Sequence, residues 1–373
     1  MKYPRPEFKQ PGIPIVTKES APGMELAYPK FDLPVTPLEN FKLAAARKTP
    51  YWVPNSMTDF QFFMHQLIAT PDPEKCGDRQ IAVDFRRPGK ESYTFNDWFN
   101  CNWTWVPSAG GAMLTPGTCL CDDITEWEKQ IKFPDFNDWD WKTIADDFMK
   151  NQYDPTKVLH INIGQGATER LVAVLGGYTE AMLALAMEPE AVKDFLNRFV
   201  DFEIEFFDML YSLYPMNMIT YHDDWGTEKD TFFGEKMMEE IVYDPTKRLV
   251  DHIRSKDCAF ELHCCGNCTR FFPYMIDLGI DFLQIQRRAV NIPAMKEKYG
   301  DKIGFDPGLE GFEYGKKYTK EELAAIIDHS VDIYGKNGGY FYTFFGGMPE
   351  DVWNITTELF CYSREFYDKE RGE

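Results

Sequence analysis

The chain has 373 residues, 44% of them hydrophobic, 16% aromatic and 27% charged, the composition of an ordinary globular protein. Its 60 Asp and Glu against 40 Lys and Arg leave a formal charge of −20, which argues against the clustered-cation surfaces that nucleic acids and anionic membranes require. The same field disfavours a highly anionic substrate unless a local arginine cluster overrides it. No apolar run reaches the roughly 18–20 residues of a membrane span, and the opening MKYPRPEFKQPGIP lacks a signal-peptide core. The nine cysteines are an odd number, with four between Cys258 and Cys268. They read as the reduced thiols of a cytoplasmic protein, clustered where they can meet a metal, and not as a disulfide framework. A soluble enzyme is the expectation.

Residues 1–40 hold eight of the 24 prolines, so an extended arm is expected over 1–37 and the body over 38–373. Leu38–Arg47 reads as a short helix and Tyr51–Met57 as a first strand. Ile81–Phe85 and Cys101–Val106 look extended, and Gly/Pro turns follow at 107–117. Asp122–Gln130 opens a helix with acidic residues where the dipole favours them. From residue 158 the alternation is regular. Strands are expected at Val158–Gly164, Asn217–Asp224, Ala259–Asn267, Phe282–Gln286, Ile303–Gly308 and Gly339–Gly347. Helices are expected at Thr168–Met187, 190–213, 233–255, Thr269–Leu278, 293–299, Lys320–Tyr334 and Met348–Lys369. Strands separated by 10–15-residue helices are parallel, and about eight such units make a (β/α)8 TIM barrel. An open doubly wound sheet is the alternative, but no G-x-G-x-x-G or P-loop follows any strand.

Strand residues alternate between the helix-facing side and the lumen. One parity collects apolar residues such as Leu159, Ile161, Ile219, Leu262 and Leu283. The other collects His160, Asn162, Thr220, His222, Asp224, Glu261, His263, Cys265, Gln284, Gln286 and Asp306. Barrel lumens are usually filled with branched apolar side chains, so this convergence of polar groups marks a functional centre at the C-terminal strand ends. His263 and Cys265 share that face, and imidazole with thiolate suits zinc. Glu261, one pleat below, is placed to orient His263. Cys264 falls behind, toward the helices, so Cys265 is expected to be the more acidic and more reactive thiol. Of the adjacent carboxylates Asp223 and Asp224, one is available as an acid or base, or one caps a helix. The glycine-rich run Gly164–Arg170 reads as turn chemistry before a helix more readily than as an anion cradle.

HDDWGTE (222–228), HCCGN (263–267), IDLGIDFLQIQ (276–286) and YGDKIGFDPGLE (299–310) together resemble the uroporphyrinogen decarboxylase superfamily. LENFKLAAARKTPYWVP (38–54) and ITEWEKQIKFPDF (124–136) are similar to its N-terminal half. The resemblance implies a (β/α)8 barrel over about 38–365 and two kinds of activity. True decarboxylases carry an arginine-rich segment at the first strand, whereas YWVPNSMTDFQ (51–61) has no arginine. The cobalamin-dependent zinc methyltransferases use His-x-Cys, matched by His263 and Cys265, and a later cysteine in a Gly-Cys-Gly turn. Gly346 stands where that cysteine would be. Cys268, Asp224 and Glu261 are the available substitutes, and Cys268 completes the expected metal set.

The resemblance therefore implies a methyltransferase moving a methyl group between a small methylated compound and a corrinoid protein, with zinc as cofactor. Asp224 or His222 would handle the proton on the departing heteroatom. Aromatic residues dense at 98–105 and 340–345 would suit an apolar or aromatic pocket. Porphyrinogen decarboxylation is the alternative activity, and a non-catalytic barrel that holds a corrinoid or a partner is the second.

Overall fold

The computed structural model describes residues 2–8, 29–62, 91–313, 315–344 and 349–372. Ile81–Phe85, Gly346 and the rest of the expected Gly-Cys-Gly turn lie outside them. Six strands pair in one parallel sheet in the order β1 (Phe60–Phe62), β5 (Val158–Ile163), β6 (Met218–His222), β7 (Ala259–Cys264), β8 (Phe282–Ile285), β9 (Gly304–Phe305). From β5 onward spatial order follows chain order, because each strand returns to its parallel neighbour through one or more helices, as β–α units do. Parallel bridges then join Phe305 to Tyr340 and Tyr342 to Asn55. The last segment thus lies against both β9 and the approach to β1.

The helices start where the chain supplies caps. Thr36 with Glu39 and Thr319 with Glu322 form capping boxes for Pro37–Ala45 and Lys320–Tyr334, each satisfying two orphan N–H groups. The helix Pro189–Leu213 buries Phe195, Phe199, Phe202 and Phe206 on one face. Opposite it a separate antiparallel sheet, β2 (Tyr93–Asn96), β3 (Asn102–Val106) and β4 (Gly111–Leu114), presents buried Trp103 and Trp105. The aromatic residues at 98–105 are therefore core: Trp98 and Phe99 pack ring to ring on Phe202, and Phe99 on Phe133. Tyr340, Phe341 and Tyr342 are likewise buried. Arg170 reaches from the helix Ala167–Leu175 into this layer, lies over the Phe99 ring and pairs with Asp97 at 2.6 Å, both side chains fully buried.

Three expectations are corrected. The helix Thr168–Met187 is two, Ala167–Leu175 and Tyr178–Met187, bent by 107°. Gly176, at φ 84°, caps the first in the left-handed region. The strand at Tyr51–Met57 reduces to one bridge at Asn55, because Pro54 has no N–H to give and Asn55–Asp59 is a turn held by the Asp59 carboxylate. The 233–255 helix is interrupted by a π turn at Met238–Val242, just ahead of Pro245, whose ring cannot accommodate the carbonyl four residues back. Among the described residues no single helix is long and apolar enough to cross a membrane.

Residues 2–8 carry no regular structure and lie on the final helix, Pro349–Arg371. Arg5 holds Glu358 with Nε and Nη2 and reaches Glu365 with Nη1, while Tyr3 donates to Asp368.

Candidate metal and active site

The lumen is layered by strand register. At its base Phe60, Val158, Met218, Phe282 and Phe341 pack together with Phe41 as an apolar plug. Two residues further along the strands the side chains turn polar. His160 Nε2 lies 2.7 Å from Thr220 Oγ1, which donates to Glu261 at 2.5 Å. Burial without a cation holds Glu261 well above the usual carboxylate range, with Asp306 adding to the effect, and holds His160 down to about 3. Burial thus favours the neutral form of both groups. An apolar floor under neutral polar groups keeps this layer compatible with the dry interior.

At the next layer His222, His263 and Gln284 stand side by side across β6, β7 and β8. The His222 and His263 rings stack at 4.4 Å. Desolvation, with the two other imidazoles close by, depresses His222 well below the usual histidine range. Gln284 Nε2 donates to Asp306 Oδ2 at 2.8 Å, so its Oε1 remains to accept from His263 Nδ1 at 2.7 Å. That fixes the proton on Nδ1 and leaves the Nε2 lone pair facing Cys265 Sγ at 3.2 Å. Gln286 Nε2 donates to the same sulfur at 3.0 Å, and the Cys265 N–H donates to Asp224 Oδ1 at 2.6 Å. One ligand atom from each of Asp224, His263 and Cys265 lies within 4.8 Å of the other two.

The strand-end motifs explain why these atoms meet. Asp223 turns down and accepts from Thr168 N, Thr168 Oγ1, Glu169 N and Trp225 Nε1, the work of a helix cap. Asp224 is therefore the carboxylate left for the mouth. Ala167 N donates to Tyr221 Oη. With its first N–H groups so occupied, the Gly164–Arg170 run is turn chemistry and not an anion cradle. The HDDWG and HCCG loops can approach only because of their glycines. Gly266 sits at φ 80°, and a Cβ there would overlap the Gly226 carbonyl.

The placements correct several expectations. Cys265 is half-buried and Cys264 fully buried, as the parity implied, with Cys264 Sγ accepting from Trp225 N. Burial raises Cys264 well above the usual thiol range, and Cys265 is raised too. Burial, then the Asp224 and Glu169 carboxylates, push its thiol up to about 12. Cys268 does not enter the cluster: it is buried beside Cys264, and the group gathered with His263 and Cys265 is Asp224. Glu261 does not orient His263. One pleat, about 6.6 Å, separates them along the strand, and Gln284 makes that contact. Gln284, Gln286 and Asp306 lay on the polar parity of the sequence but had no assigned role. Their signal was the amide at the same strand height as the histidine.

The donor set of carboxylate, imidazole and thiol suits zinc, and the Nδ1 contact is the orienting bond that ligating histidines need. Parallel strands, outer helices and polar side chains gathered at the C-terminal ends define a TIM-barrel-type enzyme scaffold. A sequence model of the family "Uroporphyrinogen decarboxylase (URO-D)" matches residues 165–305, so the segment bearing both strand-end motifs is similar to that family. Over 89% of this chain and 99% of the other, the fold is that of a methyltransferase from Methanosarcina mazei, at 12% identity and a TM-score of 0.55. An L-ribulose 3-epimerase aligns over 64% of this chain and 84% of its own, at 12% identity and a TM-score of 0.39. The chain matches none of the curated proteins.

Proposed function

We propose that this chain is a zinc-assisted methyltransferase that moves a methyl group between a small methylated compound and a corrinoid protein. The observation that carries the reading is the convergence of Asp224, His263 and Cys265 within 4.8 Å. In a (β/α)8-type fold catalytic groups gather at the C-terminal strand ends, where β6 and β7 present these three. The methyltransferase fold neighbour supports the reading, and the corrinoid partner rests on the motif resemblance. Zinc held by Asp224, His263 and Cys265 would supply Lewis acidity toward the substrate's heteroatom. His263 offers Nε2 because Gln284 and Asp306 hold its proton on Nδ1. His222 stacks on His263 and is kept neutral by burial, so it adds no positive charge beside the cluster. The apolar plug closes the lumen from below, so substrate enters from the loop side.

Protein purified without a tag is expected to contain one equivalent of zinc, measured by plasma emission. The His263→Ala/Cys265→Ala double variant is expected to lose it, Asp224→Ala to bind it at least tenfold more weakly, and Cys268→Ala to keep it. Metal retained in Asp224→Ala but lost in Cys268→Ala would return the third position to Cys268. Porphyrinogen decarboxylation is the second reading, favoured by the URO-D match over 165–305. Turnover of a porphyrinogen by the metal-free double variant would establish it.

A further inference from the structure

A cleft of about 350 Å³ opens on the loop that follows β8, lined by Arg287, Arg288, Asn291 and Glu310 among others. We propose that this cleft binds the oxyanion group, a carboxylate, sulfonate or phosphate, of a small-molecule substrate whose other end reaches the Asp224–His263–Cys265 cluster. The second half of that statement rests on the proposed function; the anion site itself does not.

The loop is anchored at the cluster. Gln286 donates to Cys265 Sγ and accepts from Gly266 N, and the next two residues are the two arginines. Arg287 is a built part of the cleft wall. Its Nη1 and Nη2 donate to the carbonyls of Leu309 and Phe312, which holds the guanidinium in place but does not neutralise it. Arg288 is exposed and has no hydrogen bond or ion pair with any described residue. Glu310 is the acidic residue of the wall, yet it accepts from the Tyr334 hydroxyl and forms no ion pair with either arginine. The wall therefore keeps a net positive charge.

That charge stands out on a chain of formal charge −20. Two adjacent like charges that form no ion pair with the wall's one carboxylate repel, and their field is focused by a concave wall. A planar oxyanion meets the guanidinium fork with paired N–H donors. The volume falls in the range of small-ligand pockets. It suits a molecule of modest size with one anionic end, not a second macromolecule.

The test is calorimetric binding at constant ionic strength, with benzoate as probe and benzamide as its neutral counterpart. Benzoate is expected to saturate one site on the wild-type chain, and benzamide to bind at least tenfold more weakly. Arg288→Gln is expected to weaken benzoate at least tenfold with thermal unfolding unchanged, and Arg288→Lys to recover part of the loss. Methanesulfonate and inorganic phosphate are expected to displace benzoate, the stronger competitor identifying the anion class. The His263→Ala/Cys265→Ala variant is expected to bind benzoate within twofold of wild type, which separates this site from the metal reading. Equal binding of benzoate and benzamide, undiminished binding in Arg288→Gln, or loss of benzoate in the double variant would each overturn the assignment, whereas failure of both competitors would support a carboxylate as the anion.

Discussion

Gln284 sets the state of His263, although its side chain has no charge. Its amide nitrogen is committed to Asp306 and its oxygen to His263 Nδ1, so the imidazole faces the cluster with a lone pair and not with a proton. Gln284→Leu removes that acceptor and frees the ring to flip or change tautomer. Loss of such an orienting contact costs about 10–100-fold in metal affinity, and competition against a calibrated zinc chelator is expected to read a loss of that size. Asp59 offers a prediction independent of the metal. Fully buried and hydrogen-bonded to Trp52 Nε1 and Asn55 N, its carboxyl is raised from 3.8 to about 6, chiefly by desolvation. The folded state therefore holds this proton more tightly than the unfolded state. Its stabilising contribution is complete below about pH 4 and is lost as pH rises through about 6. Asp59→Asn mimics the protonated form. Urea denaturation should show the variant equal to wild type near pH 4 and up to roughly 3 kcal/mol more stable at pH 8. A constant difference across that range would show that burial does not govern this group.

At the scale of elements, the site is a junction between two loops. The carboxylate comes from the end of β6 and the imidazole and thiol from the end of β7, and their separation depends on the closeness of Gly226 and Gly266. Gly266→Ala adds a side chain where φ is 80° and where the Gly226 backbone leaves no room. The conformational cost alone is roughly 1–2 kcal/mol, and the overlap must also push the loops apart. Gly308→Ala is a matched control, because Gly308 has φ 70° but open space around it. The expectation is that both variants lose some thermal stability while only Gly266→Ala loses zinc. Equal zinc affinity in the two would mean that loop spacing does not set the cluster.

For the whole molecule, the antiparallel sheet β2–β4 must be fastened to the layer of helices around the parallel one. Asp97 does much of this. It accepts from Phe99 N, Cys101 N and Trp103 Nε1 within its own loop, and from Arg170 Nη1 across the interface. Removing one partner of a buried pair leaves an uncompensated charge, at a cost of about 3–5 kcal/mol. Asp97→Ala is expected to lose at least that much in urea denaturation. Breaking the exposed Lys42–Asp257 pair by Lys42→Ala is expected to change less than about 1 kcal/mol. Similar losses in the two variants would place the fastening elsewhere in the aromatic layer.

Strand-and-helix alternation after residue 158 and the polar parity of the lumen were legible in the sequence, because each depends on a local period of two or about 3.6 residues. His263 and Cys265 share a face by the same arithmetic, and the superfamily resemblance followed from short motifs at the strand ends. The choice of Asp224 over Cys268, and of Gln284 over Glu261 as the partner of His263, depended on neighbouring strands whose register no local pattern encodes. Asp223 and Asp224 look alike in sequence; a helix N-terminus some 55 residues earlier in the chain takes the first and leaves the second for the mouth. Composition showed a strongly acidic chain, but only the tertiary structure gathered Arg287 and Arg288 in one cleft wall without an ion pair among the described residues, because whether a charge is compensated depends on what folds against it.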